Sequence, residues 1–104
     1  MQRLAFKMYL NEGQKENYIK RHDEIWPELK QILKEAGVSN YSIFLDDETN
    51  TLFAVQSVSD AGGSQALVHD PVVRKWWDFM ADIMQVNPDN SPVSVPLEQV
   101  FHLE

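Results

Sequence analysis

The hydrophobic pattern of this 104-residue chain changes period along its length, and those changes limit what it can fold into. Arg3 to Leu10 alternates, with Leu4, Phe6 and Met8 on one side and Lys7 on the other, which reads as a strand. Asn11-Glu12-Gly13 is a turn. From Gln14 to Ala36 the spacing is helical, carried by Tyr18, His22, Ile25, Leu29, Ile32 and Leu33. Pro27 interrupts this stretch. Proline lacks an N–H and crowds the preceding turn, so a kink or two abutting helices is expected there. Gly37 ends the segment as a residue suited to the position after a helix.

Alternation then returns. Val38 to Leu45 reads as a second strand, with Tyr41, Ile43 and Leu45 on one face and Phe44 on the other. Asp46 to Asn50 is a polar hairpin loop, and Thr51 to Val58 is a third strand. Ala61 to Ser64 is a loop, with a short helix expected through Ala66 to Val68. Asp70-Pro71 signals a helix start, aspartate as the cap and proline in the first turn. That helix is predicted to run to about Met84. Asn87 to Pro92 is a turn-rich loop, and Leu97 to Leu103 reads as a closing strand.

The order β-α-β-β-α-β predicts an α+β fold of the ferredoxin-like type, an antiparallel sheet with helices on one face. The other sheet face is left uncovered. In a chain this short, two such faces are expected to pack together as a homodimer, a dimeric α+β barrel. No repeat or boundary divides the sequence, so residues 1–104 are read as one domain.

Charge narrows the partners. Sixteen acids against 9 bases give a net charge of −7, which disfavours nucleic acid, anionic membranes and anionic substrates. A small neutral ligand fits best. Cysteine is absent, which removes disulfides, thiolate metal sites and cysteine nucleophiles. The segment from Met1 to Lys7 has no signal-peptide core, and no apolar run approaches a membrane span. A cytoplasmic protein without membrane contact is expected.

The candidate site begins with Tyr18 and His22, one helical turn apart on one face. Each needs a hydrogen-bond partner, so the pair suits a polar ligand better than a buried seam. A surface histidine among Lys20, Arg21, Asp23 and Glu24 is the plain alternative. The functional one is a general acid or base, since histidine titrates near neutral pH. Trp76 and Trp77 follow. Adjacent helical positions differ by about 100°, so at least one indole is expected in the core, and the other can edge a pocket. Indole faces suit the C–H faces of a sugar. Tyr41 is either a second pocket residue or part of the core or dimer face.

Other motifs are missing. His22, His69 and His102 lack metal-ligand spacing, and Asp46-Asp47-Glu48 reads as a solvated hairpin tip. Gly62-Gly63 is no phosphate loop, and no Gly-x-Ser-x-Gly elbow occurs. No cofactor and no metal are expected, which leaves proton transfer or binding alone.

Several segments together resemble the L-rhamnose mutarotase family. They are Arg21-His22, Ile25-Trp26-Pro27-Glu28-Leu29, Asn40-Tyr41-Ser42-Ile43, Trp76-Trp77 and Asn87-Pro88-Asp89-Asn90-Ser91-Pro92. The resemblance runs in order over nearly the whole chain. It implies a cytoplasmic homodimer of ferredoxin-like α+β fold that interconverts the α and β anomers of L-rhamnose. It also implies His22 as catalytic proton donor and Tyr18, Tyr41, Trp76 and Trp77 as sugar-binding residues. Two alternatives stand beside it. One is a cofactor-independent monooxygenase of the same dimeric fold; the other is a non-catalytic sugar-binding module.

Overall fold

The computed structural model describes residues 2–59 and 67–104. Among them the elements run β1 Gln2–Tyr9, α1 Lys15–Asp23, α2 Pro27–Glu35, β2 Val38–Asp46, β3 Thr51–Val58, α3 Pro71–Met80 and β4 Val95–Leu97. The strands form one sheet in the order β2-β3-β1-β4, and each neighbouring pair is antiparallel. This is the expected α+β arrangement, with the first helical segment divided in two.

Pro27 makes that division. It occupies the first turn of α2, where its missing N–H costs nothing, and Trp26 before it is extended at φ −63°, ψ 133°. Gly37, at φ +83°, follows α2 in the left-handed region. A Cβ at that position would overlap the Ser59 hydroxyl, which can rotate away, so the left-handed φ more than space calls for glycine. Asp70 caps α3 as its sequence position implied: its Oδ1 accepts from the Val72 N–H at 2.9 Å and the Val73 N–H at 3.3 Å.

Two faces separate along the strands. Inward, Phe6, Met8, Leu52 and Ala54 meet Tyr18 and Leu29 from α1 and α2, and Val73, Trp76, Trp77 and Met80 from α3. Outward, strand register aligns Phe44, Phe53, Lys7 and Val95 in one row across the sheet, and Ser42, Val55, Ala5 and Leu97 in the next. Phe44 is 62 % exposed and Phe53 36 %, so the helix-free face carries bare aromatic surface.

Tyr41 reaches the inner face through an irregularity. Between Ser39 and Ser42 the β2–β3 register slips by one residue, and Asn40 sits there at φ +47°. An extra residue resets the two-residue alternation. Val38 points in, and after the bulge so do Tyr41, Ile43 and Leu45, while Phe44 points out. Asparagine tolerates the left-handed conformation this requires.

Three expectations change. The last strand is Val95–Leu97, not Leu97 to Leu103; residues beyond Leu97 pair with nothing regular, and Phe101 is 78 % exposed. The third helix ends at Met80, not Met84. Beyond it, the Ile83 carbonyl accepts from the Asn11 N–H at 2.9 Å and Met84 bridges Leu10, so sheet-side partners capture that backbone. Of the short helix expected through Ala66 to Val68, Ala66 lies outside the described residues, and so do Gly62 and Gly63. Leu67 and Val68 instead lead into a turn.

Candidate active site

A cavity of about 480 Å³ opens between the helices and the inner sheet face. All five residues singled out in the sequence, Tyr18, His22, Tyr41, Trp76 and Trp77, lie on its wall. Three elements supply them: α1 carries the tyrosine–histidine pair, β2 carries Tyr41 and α3 carries the indoles.

The pair on α1 is held closely. The Tyr18 and His22 rings stack with centroids 4.2 Å apart and planes 27° from parallel. His22 Nδ1 lies 3.0 Å from the Tyr18 carbonyl oxygen. A carbonyl only accepts, so Nδ1 carries a hydrogen and donates it. In the neutral ring that leaves Nε2 as the atom with a lone pair. The backbone of α1 thus selects the tautomer able to take a proton through Nε2.

Electrostatics agree with that role. Burial pushes the His22 pKa below its ordinary 6.5, with the Tyr18 carbonyl and the charge of Asp23 acting in the opposite direction. Burial, and secondarily Tyr41, pushes the Tyr18 phenol well above its ordinary value. Tyr18 therefore stays un-ionised and acts as a hydrogen-bonding group, not as a base. Asp23 also lines the cavity, at the end of α1.

Both indoles are buried, Trp76 at 8 % exposure and Trp77 at 6 %, and both line the cavity. At least one was expected in the core; both are, and both are also wall. The cavity is deep enough between α3 and the sheet for core positions to be wall positions too. Trp76 meets His22 edge-on, with centroids 5.4 Å apart and planes 89° from parallel. The remaining lining is largely apolar, including Met8, Leu29, Ile43, Val73 and Met80. Such a wall suits methyl and C–H surface, with a few polar groups to orient hydroxyls.

Sequence reasoning missed the support behind Trp76. Trp26 packs edge-on against it at 5.1 Å, and Phe79 lies 5.7 Å from it and 5.8 Å from Trp26. Trp26 follows His22 by four positions, but the helix ends between them, so helical spacing could not reveal the contact. His69 and His102 are exposed and away from the cavity wall. Among the described residues no three histidine, aspartate or glutamate side chains gather as potential metal ligands.

Comparison with known proteins gives one result throughout. The family model described as L-rhamnose mutarotase matches residues 3–103. The chain is similar to the L-rhamnose mutarotase of Formosa agariphila, 71 % identical over 104 residues, and to that of Bacteroides thetaiotaomicron, 61 % identical over 104 residues; both alignments cover 100 % of each chain. The fold is similar to the crystal structure of an L-rhamnose mutarotase from Formosa agariphila, with a TM-score of 0.92, 66 % identity and 100 % of each chain covered.

Proposed function

Since the chain belongs to the L-rhamnose mutarotase family, we propose that it interconverts the α and β anomers of L-rhamnose, with His22 as the proton-transfer group. Residues 1–104 act as a single mutarotase domain in this reading. The observation that carries the histidine's role is the contact between His22 Nδ1 and the Tyr18 carbonyl. It leaves Nε2 as a base on a residue lining a cavity of about 480 Å³, which has room for a monosaccharide.

Mutarotation opens a cyclic hemiacetal, turns the freed aldehyde about C1–C2, and closes the ring on the other face. In opening, His22 Nε2 takes the proton of the anomeric hydroxyl while the bond from C1 to the ring oxygen breaks. The ring oxygen gains a proton from solvent, which is given back to solvent when the ring closes. In closing, the imidazolium returns its proton to the oxygen on C1 as the ring oxygen loses one, so the protein ends as it began. His22 is then the donor in one half of the cycle and the acceptor in the other. Tyr41, the second phenol on the wall, relays the proton at the ring oxygen or holds a hydroxyl. Tyr18, un-ionised, fixes the imidazole by stacking and hydrogen-bonds the sugar. Trp76 and Trp77 offer their faces to the ring and the C5 methyl group. L-rhamnose is neutral, in keeping with a chain of net charge −7 and no cationic clamp among the lining residues.

Polarimetry tests this directly. Freshly dissolved crystalline L-rhamnose changes rotation slowly in buffer, and catalytic amounts of the protein should bring it to equilibrium much faster. Unchanged decay at protein concentrations that bind the sugar would leave a binding module.

The second copy belongs to the same proposal. The outer row of Phe44, Phe53 and Val95 and the exposed tail residues Val100, Phe101 and Leu103 leave apolar surface that one chain does not cover. We expect a homodimer packed through sheet faces, giving a solution mass twice that of one chain by light scattering. A monomer at micromolar concentration with full activity would contradict this. Among the described residues no helix is long and apolar enough to cross a membrane, and a cytoplasmic location is part of the proposal.

A further inference from the structure

We propose that Arg21 is a positioning residue for proton transfer: its guanidinium fork ties the last turn of α1 to the end of α3 and thereby fixes His22 against Trp76. The inference rests on His22 being the proton-transfer group.

The helix that carries His22 has little else to hold it. α1 is 9 residues long, lacks a side-chain hydrogen bond at its N-cap, and buries only Tyr18. A helix that short is marginal alone and takes its position from tertiary contacts. Arg21 supplies a directional one. Its Nη1 donates to Asp82 Oδ1 at 2.8 Å and to the Phe79 carbonyl at 2.8 Å, and Nη2 donates to Asp82 Oδ2 at 3.2 Å. The guanidinium carbon also lies 4.5 Å from the centre of the Phe79 ring. One planar group therefore engages a carboxylate in fork fashion, a carbonyl in the last turn of α3, and an aromatic face. Carbonyls in a last helical turn lack intrahelical donors, which explains why Arg21 finds one there.

The contacts lead back to the site. Phe79 packs on Trp76 at 5.7 Å, and Trp76 meets His22 at 5.4 Å. Arg21 precedes His22 in the chain, so the histidine is held from both directions. Asp82 is exposed and Arg21 only partly so, and an ion pair open to water on its carboxylate side adds little to overall stability. Losing the fork should therefore disturb geometry, and with it rate, before it disturbs the fold. Lysine keeps the charge and loses the planar fork, which makes Arg21→Lys the informative replacement.

The experiment compares Arg21→Lys, Asp82→Asn, the double variant and His22→Ala in the full chain. It reads anomer exchange across L-rhamnose concentrations, and the His22 ring-proton shifts by NMR. Those shifts report position, because the Tyr18 and Trp76 rings lie 4.2 Å and 5.4 Å away. Each single variant should lower kcat about ten- to hundred-fold, the scale on which small misplacements act. KM should stay within about two-fold. The double variant should be no slower than the slower single one, since both remove one device. The His22 shifts should move in all three. A kcat within about two-fold of the parent in Arg21→Lys or Asp82→Asn, or unmoved His22 shifts, overturns the proposal while leaving a slow His22→Ala variant as support for the histidine. A near-parental rate in His22→Ala overturns the histidine's role and this proposal with it. Should Arg21→Lys not fold, Asp82→Asn, which alters only an exposed carboxylate, decides alone.

Discussion

Replacing His22 with alanine should slow L-rhamnose anomer exchange by roughly 10²–10⁴, the usual worth of one general acid or base. The fold should survive. His22 is half-buried and contributes two ring contacts, to Tyr18 and Trp76, each worth about 0.5–1.5 kcal/mol. Rhamnose binding should fall far less than the rate, because Tyr41 and both indoles keep their places on the wall. Exchange NMR on folded His22→Ala protein separates these effects. A near-parental rate would remove His22 from the mechanism and move suspicion to the tyrosines.

The same geometry fixes how the parent responds to pH. Opening needs an unprotonated Nε2, and burial holds the His22 pKa below its ordinary 6.5. The neutral base should therefore persist as pH falls past that value, and the rate should drop only at more acid pH, as Nε2 takes a proton from solvent. Tyr18 sets no alkaline limit near neutrality, because its phenol is pushed upward. A pH–rate profile in which exchange rises steadily toward acid would contradict the assignment of Nε2 as the base.

Trp76→Ala should have the other large effect. Trp76 is buried and touches His22, Trp26 and Phe79 with its ring. Truncating such a residue costs about 3–5 kcal/mol. A small domain has only about 5–15 kcal/mol in total, so a large fall in melting temperature is expected. Sugar affinity should fall as well, since the indole is wall and core at once. Trp77→Ala should act in the same direction, because Trp77 is as buried and also lines the cavity. Trp76→Phe keeps an aromatic plug and separates binding from folding. Rhamnose titrations and thermal melts on these variants check both parts; parental affinity in both alanine variants would place the aromatic wall elsewhere.

That dual use of the indoles marks where sequence reading reached and where it stopped. The strands and helices were legible because their signals are local. Alternation marked β1, β2 and β3, Pro27 divided α1 from α2, and Asp70-Pro71 opened α3. Tyr18 and His22 stood out because a phenol and an imidazole one turn apart are awkward for a simple core, whereas pattern left Tyr41, Trp76 and Trp77 between core and pocket, and only the family resemblance pointed them to the cavity wall they share. What escaped depends on distant partners. The apolar run to Met84 looks helical, yet Leu10 and Asn11 claim the backbone after Met80. The apolar residues after Leu97 look like a strand, yet the β1 edge pairs only with Val95 to Leu97, and Pro96 at that edge removes one donor. Alternation grouped Tyr41 with Ile43 and Leu45, but the bulge at Asn40, which brings Val38 to that same face, left no mark in it. Likewise, the Arg21 fork joins positions 61 residues apart.

The central claim is that this cavity exchanges L-rhamnose anomers by proton transfer. Magnetisation exchange between the α and β anomeric protons of L-rhamnose, recorded with catalytic amounts of the parent protein, tests it most directly. Sugars that differ in configuration serve as controls under the same conditions. Cross-peaks for L-rhamnose should build far faster than in buffer, in proportion to protein concentration. Cross-peaks that build at the buffer rate while L-rhamnose demonstrably occupies the cavity would contradict the account.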